Sequence, residues 1–167
     1  MPLSTALTAL NAHIGDPRAG LPEEVFLFAS SITPMVNVDL LVRDRVGRIL
    51  LSWRDDPFCG QGWHVPGGVV RFQEGLLDRL QKTALRELGC AVLLATATPE
   101  FTEFIRSDGP RERSHFITFI YHCRLPENLD APPHTARPGE TGHLAFHEHF
   151  PENMIPVHHY YRKYFRS

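Results

Sequence analysis

Cysteine is scarce and never paired as CxxC: Cys59, Cys90 and Cys123 stand apart. That excludes an even disulfide framework and leaves reduced, packing thiols as the expectation. Long apolar runs are missing too. The stretch Val38 to Val42 is interrupted by Asp39 and falls far short of the ~20 residues of a membrane span. Met1 to Leu10 lacks the basic start and long apolar stretch of a signal peptide, so a cytoplasmic location is expected. Nor is one sign of charge in excess. Seventeen Lys and Arg against nineteen Asp and Glu leave a net charge of −2. No overall field favours nucleic acid or an anionic membrane, and neither is expected as a partner; any polyanion must be held locally.

What is present is a chain of 167 residues, 43% hydrophobic and 22% charged, as in ordinary folded domains. A single domain over 1–167 is expected, with 1–20 an irregular N-terminal segment of little periodicity around Gly15, Pro17 and Gly20. Pro22-Glu23-Glu24 reads as the start of a short helix near 22–30, with proline and acids in the first turn. Residues 34–43 and 48–54 read as a strand hairpin around the turn residues Asp44 to Gly47. Trp63 to Arg71 reads as a strand broken by Pro66-Gly67-Gly68. Leu76, Leu77, Leu80, Ala84, Leu85 and Leu88 recur at three- and four-residue spacing before Gly89, which gives a helix and its stop. Strands are expected near 91–97, 100–106, 115–123 and 142–147, with a Pro-rich loop over 126–138 and a closing helix near 157–165. This order predicts an α/β sandwich containing a mixed β-sheet.

One residue of the predicted helix is out of place. On a wheel of about 100° per residue, Glu87 falls within ~20° of Leu80, inside the apolar stripe. A carboxylate there costs several kcal/mol to bury without a cation or strong hydrogen bonds; the alternative is a frayed helix end with Glu87 in water. The Gly67-Gly68 loop and Glu74 at the helix entrance share its neighbourhood. Carboxylates and a tight loop carbonyl suit a hard cation such as Mg²⁺, which leaves coordination sites for phosphate oxygens. The combination points to metal-dependent diphosphate chemistry.

The run from Gly68 through Glu74, Lys82-Thr83-Ala84 and Arg86-Glu87 to Gly89-Cys90 resembles the Nudix box without gaps. Lys82-Thr83 stands where the box has Arg-Glu, and Arg86-Glu87 where it has Glu-Glu, so two acidic positions are lost. The sequence is similar to one branch, the GDP-mannose mannosyl hydrolases, in keeping only the last acid. Flanking features match as well: Thr33-Pro34 before Asp39, Arg54 closing the second strand, Val65-Pro66-Gly67-Gly68, and Val157-His158 with Arg162, Tyr164 and Phe165. The resemblance spans roughly residues 21–165 and implies a Nudix-type α/β/α sandwich and a homodimer.

It also implies roles. Gly67, through its carbonyl, and Glu87 would be metal ligands to one Mg²⁺ per subunit, with Mn²⁺ as substitute and Glu140 as third ligand or alternate base. Arg54 would neutralise charge on the departing diphosphate, its planar fork suiting phosphate oxygens; alone, it also reads as a solvated strand end. Asp39 would lie near the sugar or an arginine, or face water at a sheet edge. His143 would be the catalytic base activating water, two residues beyond Thr141, which takes the place of the branch's histidine; His143 also reads as a surface histidine. Arg71, two residues beyond the position of the family's arginine, would bind substrate together with His115 and Lys82. His143, His147 and His149 do not make an HExxH zinc pattern.

Three readings follow. The first is a Mg²⁺-dependent hydrolase of a nucleotide sugar, GDP-mannose before GDP-glucose, in which water attacks the anomeric carbon. The second returns attack to phosphorus, with Glu74, Glu87 and Glu140 holding metals. The third is a sugar-nucleotide binding module without turnover.

Overall fold

The β-branched stretch expected as the first strand of a hairpin forms β1 (Met35–Arg43), the strand around which the fold is arranged. The computed structural model describes residues 1–166, Asp56 by its backbone only. Along one side β1 runs parallel to β7 (His115–Arg124), from Met35 opposite Phe116 to Arg43 opposite Arg124. Its other side is divided. At the C-terminal end Arg43 pairs with Ile49 of β2 (Ile49–Asp56), whereas Asn37 to Asp39 pair antiparallel with β4 (Gly67–Val69). The expected hairpin is therefore joined at one pair only, and β2 swings away to meet β3 (Gly60–His64) and β8 (Leu144–His147). β5 (Leu93–Leu94) and β6 (Glu100–Ile105) pair antiparallel with β7 and complete an eight-stranded mixed sheet.

Alternation along β1 sends Val38, Leu40 and Val42 to one face and Leu41 to the other. On the first face lies α3 (Leu76–Leu88), whose Leu80, Ala84 and Leu88 are fully buried and whose end is capped by Gly89 in the left-handed conformation. On the second face Leu41, Ile49, Leu51, Val65 and Ile120 pack against Tyr161 of a 3-10 helix, Pro156–Tyr164. That segment was expected to be an ordinary helix over 157–165. Asp39 belongs to the second face, where it is 1% exposed instead of facing water at an edge.

The N-terminal segment is not irregular. Leu3–Ile14 form α1 and Glu23–Ser30 form α2. No residue of α1 is buried, and Leu3 and Leu7 are 74% and 50% exposed. Leu3, Leu7, Leu10 and Ile14 do recur at helical spacing, a signal that the expectation of an irregular segment passed over.

Candidate active site

The division of β1 between β2 and β4 opens a cleft of about 700 Å³, a size suited to a small organic ligand. The Pro66-Gly67-Gly68 turn forms its floor. The Leu40 N–H donates to the Pro66 carbonyl at 2.8 Å, which holds the turn against β1. A side chain at Gly67 would collide with the Asp39 carboxylate, and one at Gly68 would stand 2.7 Å from Thr83 Oγ1 of α3. Glycine is required at both positions so that sheet and helix can approach.

Glu87 reaches this site from α3. Arg54 on β2 donates to its Oε2 at 2.6 Å and Arg86 to its Oε1 at 2.8 Å. The carboxylate is only 11% exposed, so the inward-facing acid is compensated by cations, as its cost of burial demands. Asp39 receives hydrogen bonds from the Tyr161 and Tyr160 hydroxyls on Oδ2 and from Asn37 on Oδ1 at 2.5 Å. Burial pushes its pKa up to about 7; the tyrosine hydrogen bonds and nearby Arg54 oppose that rise, and Glu87 adds to it.

Glu74 does different work. It accepts from Arg79 at 2.7 Å, Lys82 at 2.9 Å and the Arg71 N–H at 3.0 Å. Burial disfavours its charge, but the hydrogen bonds from Arg79, Lys82 and Arg71 outweigh that and bring its pKa down to about 2. It is a strut between turn and helix, with both oxygens committed. His158 lines the cleft and accepts the Val65 N–H on Nδ1 at 2.9 Å, so its ring proton sits on Nε2. Burial, with His64 and Arg54 nearby, lowers its pKa well below the ordinary value and keeps the ring neutral.

Arg54, Arg71, Arg79, Arg86, Arg106 and Arg113 all line the cleft, against the carboxylates of Glu23 and Asp39. A chain of net charge −2 thus concentrates positive charge at one place. Arg79 is buried, and its Nη2 has no hydrogen-bond partner among the described residues; phosphate oxygens satisfy such a group.

Of the expected site residues, the structure brings Asp39, Arg54, Gly67, Arg71 and Glu87 together. Four others are elsewhere. His143 points its Nδ1 at the Ala136 carbonyl (3.2 Å) and packs against Trp63, on the sheet face opposite Arg54. It shares no face with Thr141 because Gly142, at φ +92°, turns the chain between them. Glu140 is exposed in that same turn, which bonds to β2 at Trp53 and Asp55, on either side of Arg54. His115 alternates with Phe116 and Thr118, which line the cleft, so it faces the other way and meets Glu103 Oε1 at 3.0 Å. Lys82 is exposed and spent on Glu74. Sequence reasoning missed Arg79, whose i, i+4, i+7 relation to Thr83 and Arg86 marks the stripe facing Gly68.

Residues 33–165 match the NUDIX domain family. The chain belongs to that family. It is 33% identical over 114 residues to the low-salt glycan biosynthesis protein Agl8 of Haloferax volcanii, covering 67% of this chain and 72% of that protein. The NUDIX fold is also seen in the MutT NUDIX hydrolase of Burkholderia pseudomallei (TM-score 0.60, 21% identity, 80% of this chain and 99% of that one). The MutT protein of Methanosarcina mazei Go1 is similar in structure (TM-score 0.57, 16% identity, 80% of this chain and 92% of that one).

NUDIX hydrolases generally use a divalent cation, commonly Mg²⁺. Here the donor set is small: among the described residues no three His, Cys, Asp or Glu side chains converge. Glu74 is committed to its strut, and Glu140 is exposed in the turn beside β2. Glu87 and the carbonyl of Gly67 are oxygen donors of the kind a hard cation takes. No helix is long and apolar enough to cross a membrane among the described residues.

Proposed function

We propose that the protein is a cation-dependent hydrolase of a nucleoside diphosphate sugar, GDP-mannose first and GDP-glucose second, releasing GDP and free hexose. The observation that carries this reading is one inward-facing carboxylate, Glu87, held by Arg54 and Arg86 at a cleft that six arginines line. Attack at phosphorus calls for several acids to hold several ions, and no such group is assembled among the described residues. Attack at the anomeric carbon needs mainly a stabilised leaving group, which one cation and arginines supply.

In this reading Glu87 and the Gly67 carbonyl hold the ion, which offsets charge on the diphosphate when bound. Arg54 and Arg86 turn from Glu87 to the phosphate oxygens, and buried Arg79 presents its unpartnered N–H to the same group. Asp39, fixed by Tyr160, Tyr161 and Asn37, orients water against the sugar, and the His158 Nε2–H donates to a substrate oxygen. The C–O bond breaks with its electrons on the diphosphate, the hexose gains hydroxide from water, and the water's other proton passes to solvent. The glycan-biosynthesis role named for the Haloferax relative agrees with a sugar-bearing substrate.

A second reading, binding of the nucleotide sugar without turnover, is favoured by the position of His143 outside the cleft. Hydrolysis of GDP-mannose in ¹⁸O-labelled water decides between them. Label in free hexose beside intact GDP is expected. Label in a phosphate product overturns attack at carbon, and saturable binding with no product overturns hydrolysis.

A further inference from the structure

α1 lies well ahead of the family match, which begins at residue 33. It has 12 residues, no side-chain cap at its N-terminus and no buried side chain. A helix of that length is marginal in water alone and draws its stability from packing an apolar face. Such a face exists. At about 100° per residue, Leu3, Leu7, Leu10 and Ile14 fall within ~60° of one another. That is the narrow seam by which one helix packs along another, narrower than the face that covers a core. From Met1 to Ile14 there is no Asp, Glu, Lys or Arg. Two such helices meet without repulsion between charged side chains, and an anionic bilayer finds no basic side chain to hold.

The two halves of the helix differ. In the N-terminal half Leu3 and Leu7 project into solvent. In the C-terminal half Leu10 and His13 border a hollow of about 370 Å³, whose other wall is Glu24, Val25 and Phe28 of α2. Phe28 is 57% exposed there. Bare leucines thus stand on one half of α1 and an apolar hollow lies beside the other. A second α1 laid antiparallel brings its leucines over the hollow of the first and offers its own hollow in return, so the contact closes about a twofold axis. Leu7 of each copy then meets Leu10 of the other, Leu3 meets Ile14, and the helix dipoles are opposed. His13 and Glu24 give the contact a polar rim with one donor and one acceptor.

We propose that α1 is a self-association helix through which two copies of this chain pair antiparallel, Leu3 and Leu7 of each seated in the hollow between α1 and α2 of the other. α2 presents Val25 and Phe28 to this contact and Glu23 and Phe26 to the cleft, so the pair braces one wall of each cleft from behind.

The test reads the mass of the full chain by light scattering after size exclusion, from low to high micromolar concentration, with thermal melts confirming that each variant folds. At the upper end the wild type is expected at twice the 19.0 kDa of one chain. Leu7→Glu should weaken association by about tenfold or more, and so should Leu10→Lys. An equimolar mixture of the two variants should recover the pair, because the antiparallel seam then sets an acid against a base. Leu7 is exposed, so Leu7→Glu remains decisive if Leu10→Lys folds poorly. A monomer at every concentration overturns the proposal, and sedimentation of that monomer with phosphatidylcholine vesicles would give the stripe to a lipid surface instead. A dimer indifferent to Leu7→Glu overturns it as well. A mixture that stays monomeric, while both variants melt as the wild type does, overturns the antiparallel pairing.

Discussion

The Tyr161 hydroxyl hydrogen-bonds Oδ2 of Asp39 across 122 positions of sequence, locking the 3-10 helix to the central strand beside the cleft. Removing that donor leaves a buried carboxylate under-bonded. Tyr161→Phe should lower stability by about 1–3 kcal/mol in urea denaturation. Tyr160→Phe, whose hydroxyl stands 3.4 Å from the same oxygen, should cost less. Equal losses in the two variants would deny Tyr161 its special place.

Glu87 is expected to matter to chemistry more than to folding. Glu87→Gln keeps shape and some hydrogen bonding while removing the charge that faces Arg54 and a cation. Turnover should fall by about 100-fold or more, with a loss of apparent Mg²⁺ affinity and a melting temperature within a few degrees of wild type. Arg54→Lys should also be strongly impaired, because an ammonium cannot reproduce the planar fork.

Glu74 gives the protein an acid-sensitive joint. Its pKa is depressed in the folded state, to about 2, against the ordinary 4.5. Its stabilisation is therefore complete above about pH 4.5 and disappears as pH falls towards 2. Glu74→Gln should destabilise the protein by roughly 1–3 kcal/mol at pH 7, allowing for solvent screening, and by almost nothing at pH 2. Chemical denaturation of both proteins across that range reads the difference directly.

Gly68 and Thr83 form a testable pair. Gly68→Ala places a methyl group 2.7 Å from Thr83 Oγ1 and should cost about 1–3 kcal/mol. Adding Thr83→Ala removes the obstructing hydroxyl and should recover part of the loss, a coupling seen in a double-mutant cycle. Additive effects would show that the crowding lies elsewhere.

His143→Ala should keep turnover within about threefold of wild type, since the ring packs on Trp63 and faces away from Glu87. A collapse in kcat with an unchanged melting temperature would restore the histidine to the reaction.

Much of the fold was legible where burial imposes a period. Leu80, Ala84 and Leu88 announce α3, Gly89 ends it, and Glu87 stands out because the stripe around it is apolar. Asp39, Arg54, Gly67 and Arg71 were likewise found from the local pattern and the family resemblance, and they meet in the cleft. What failed depends on turns and distant partners. Two-residue alternation suggested that Thr141 and His143 share a face, but the positive φ of Gly142 breaks it. Arg113 sits in a loop whose position is set by Ser30, 83 residues away, a relation that no spacing records. α1 was passed over although Leu3, Leu7, Leu10 and Ile14 recur at helical spacing, a stripe that the fold leaves unburied.

The parallel union of β1 and β7 has a bearing on how the protein is made. Partners in that pair are some eighty positions apart, and β1 holds the cleft floor through β4 while β7 carries Phe116 and Thr118 into its wall. Contacts of such span are late events, because loop closure precedes their reward. A chain that has left the ribosome only as far as Cys90 carries every residue of the Nudix-box segment and still lacks β7 and the 3-10 helix. Competence for substrate arrives when β7 docks and the 3-10 helix brings Tyr160 and His158 in behind it.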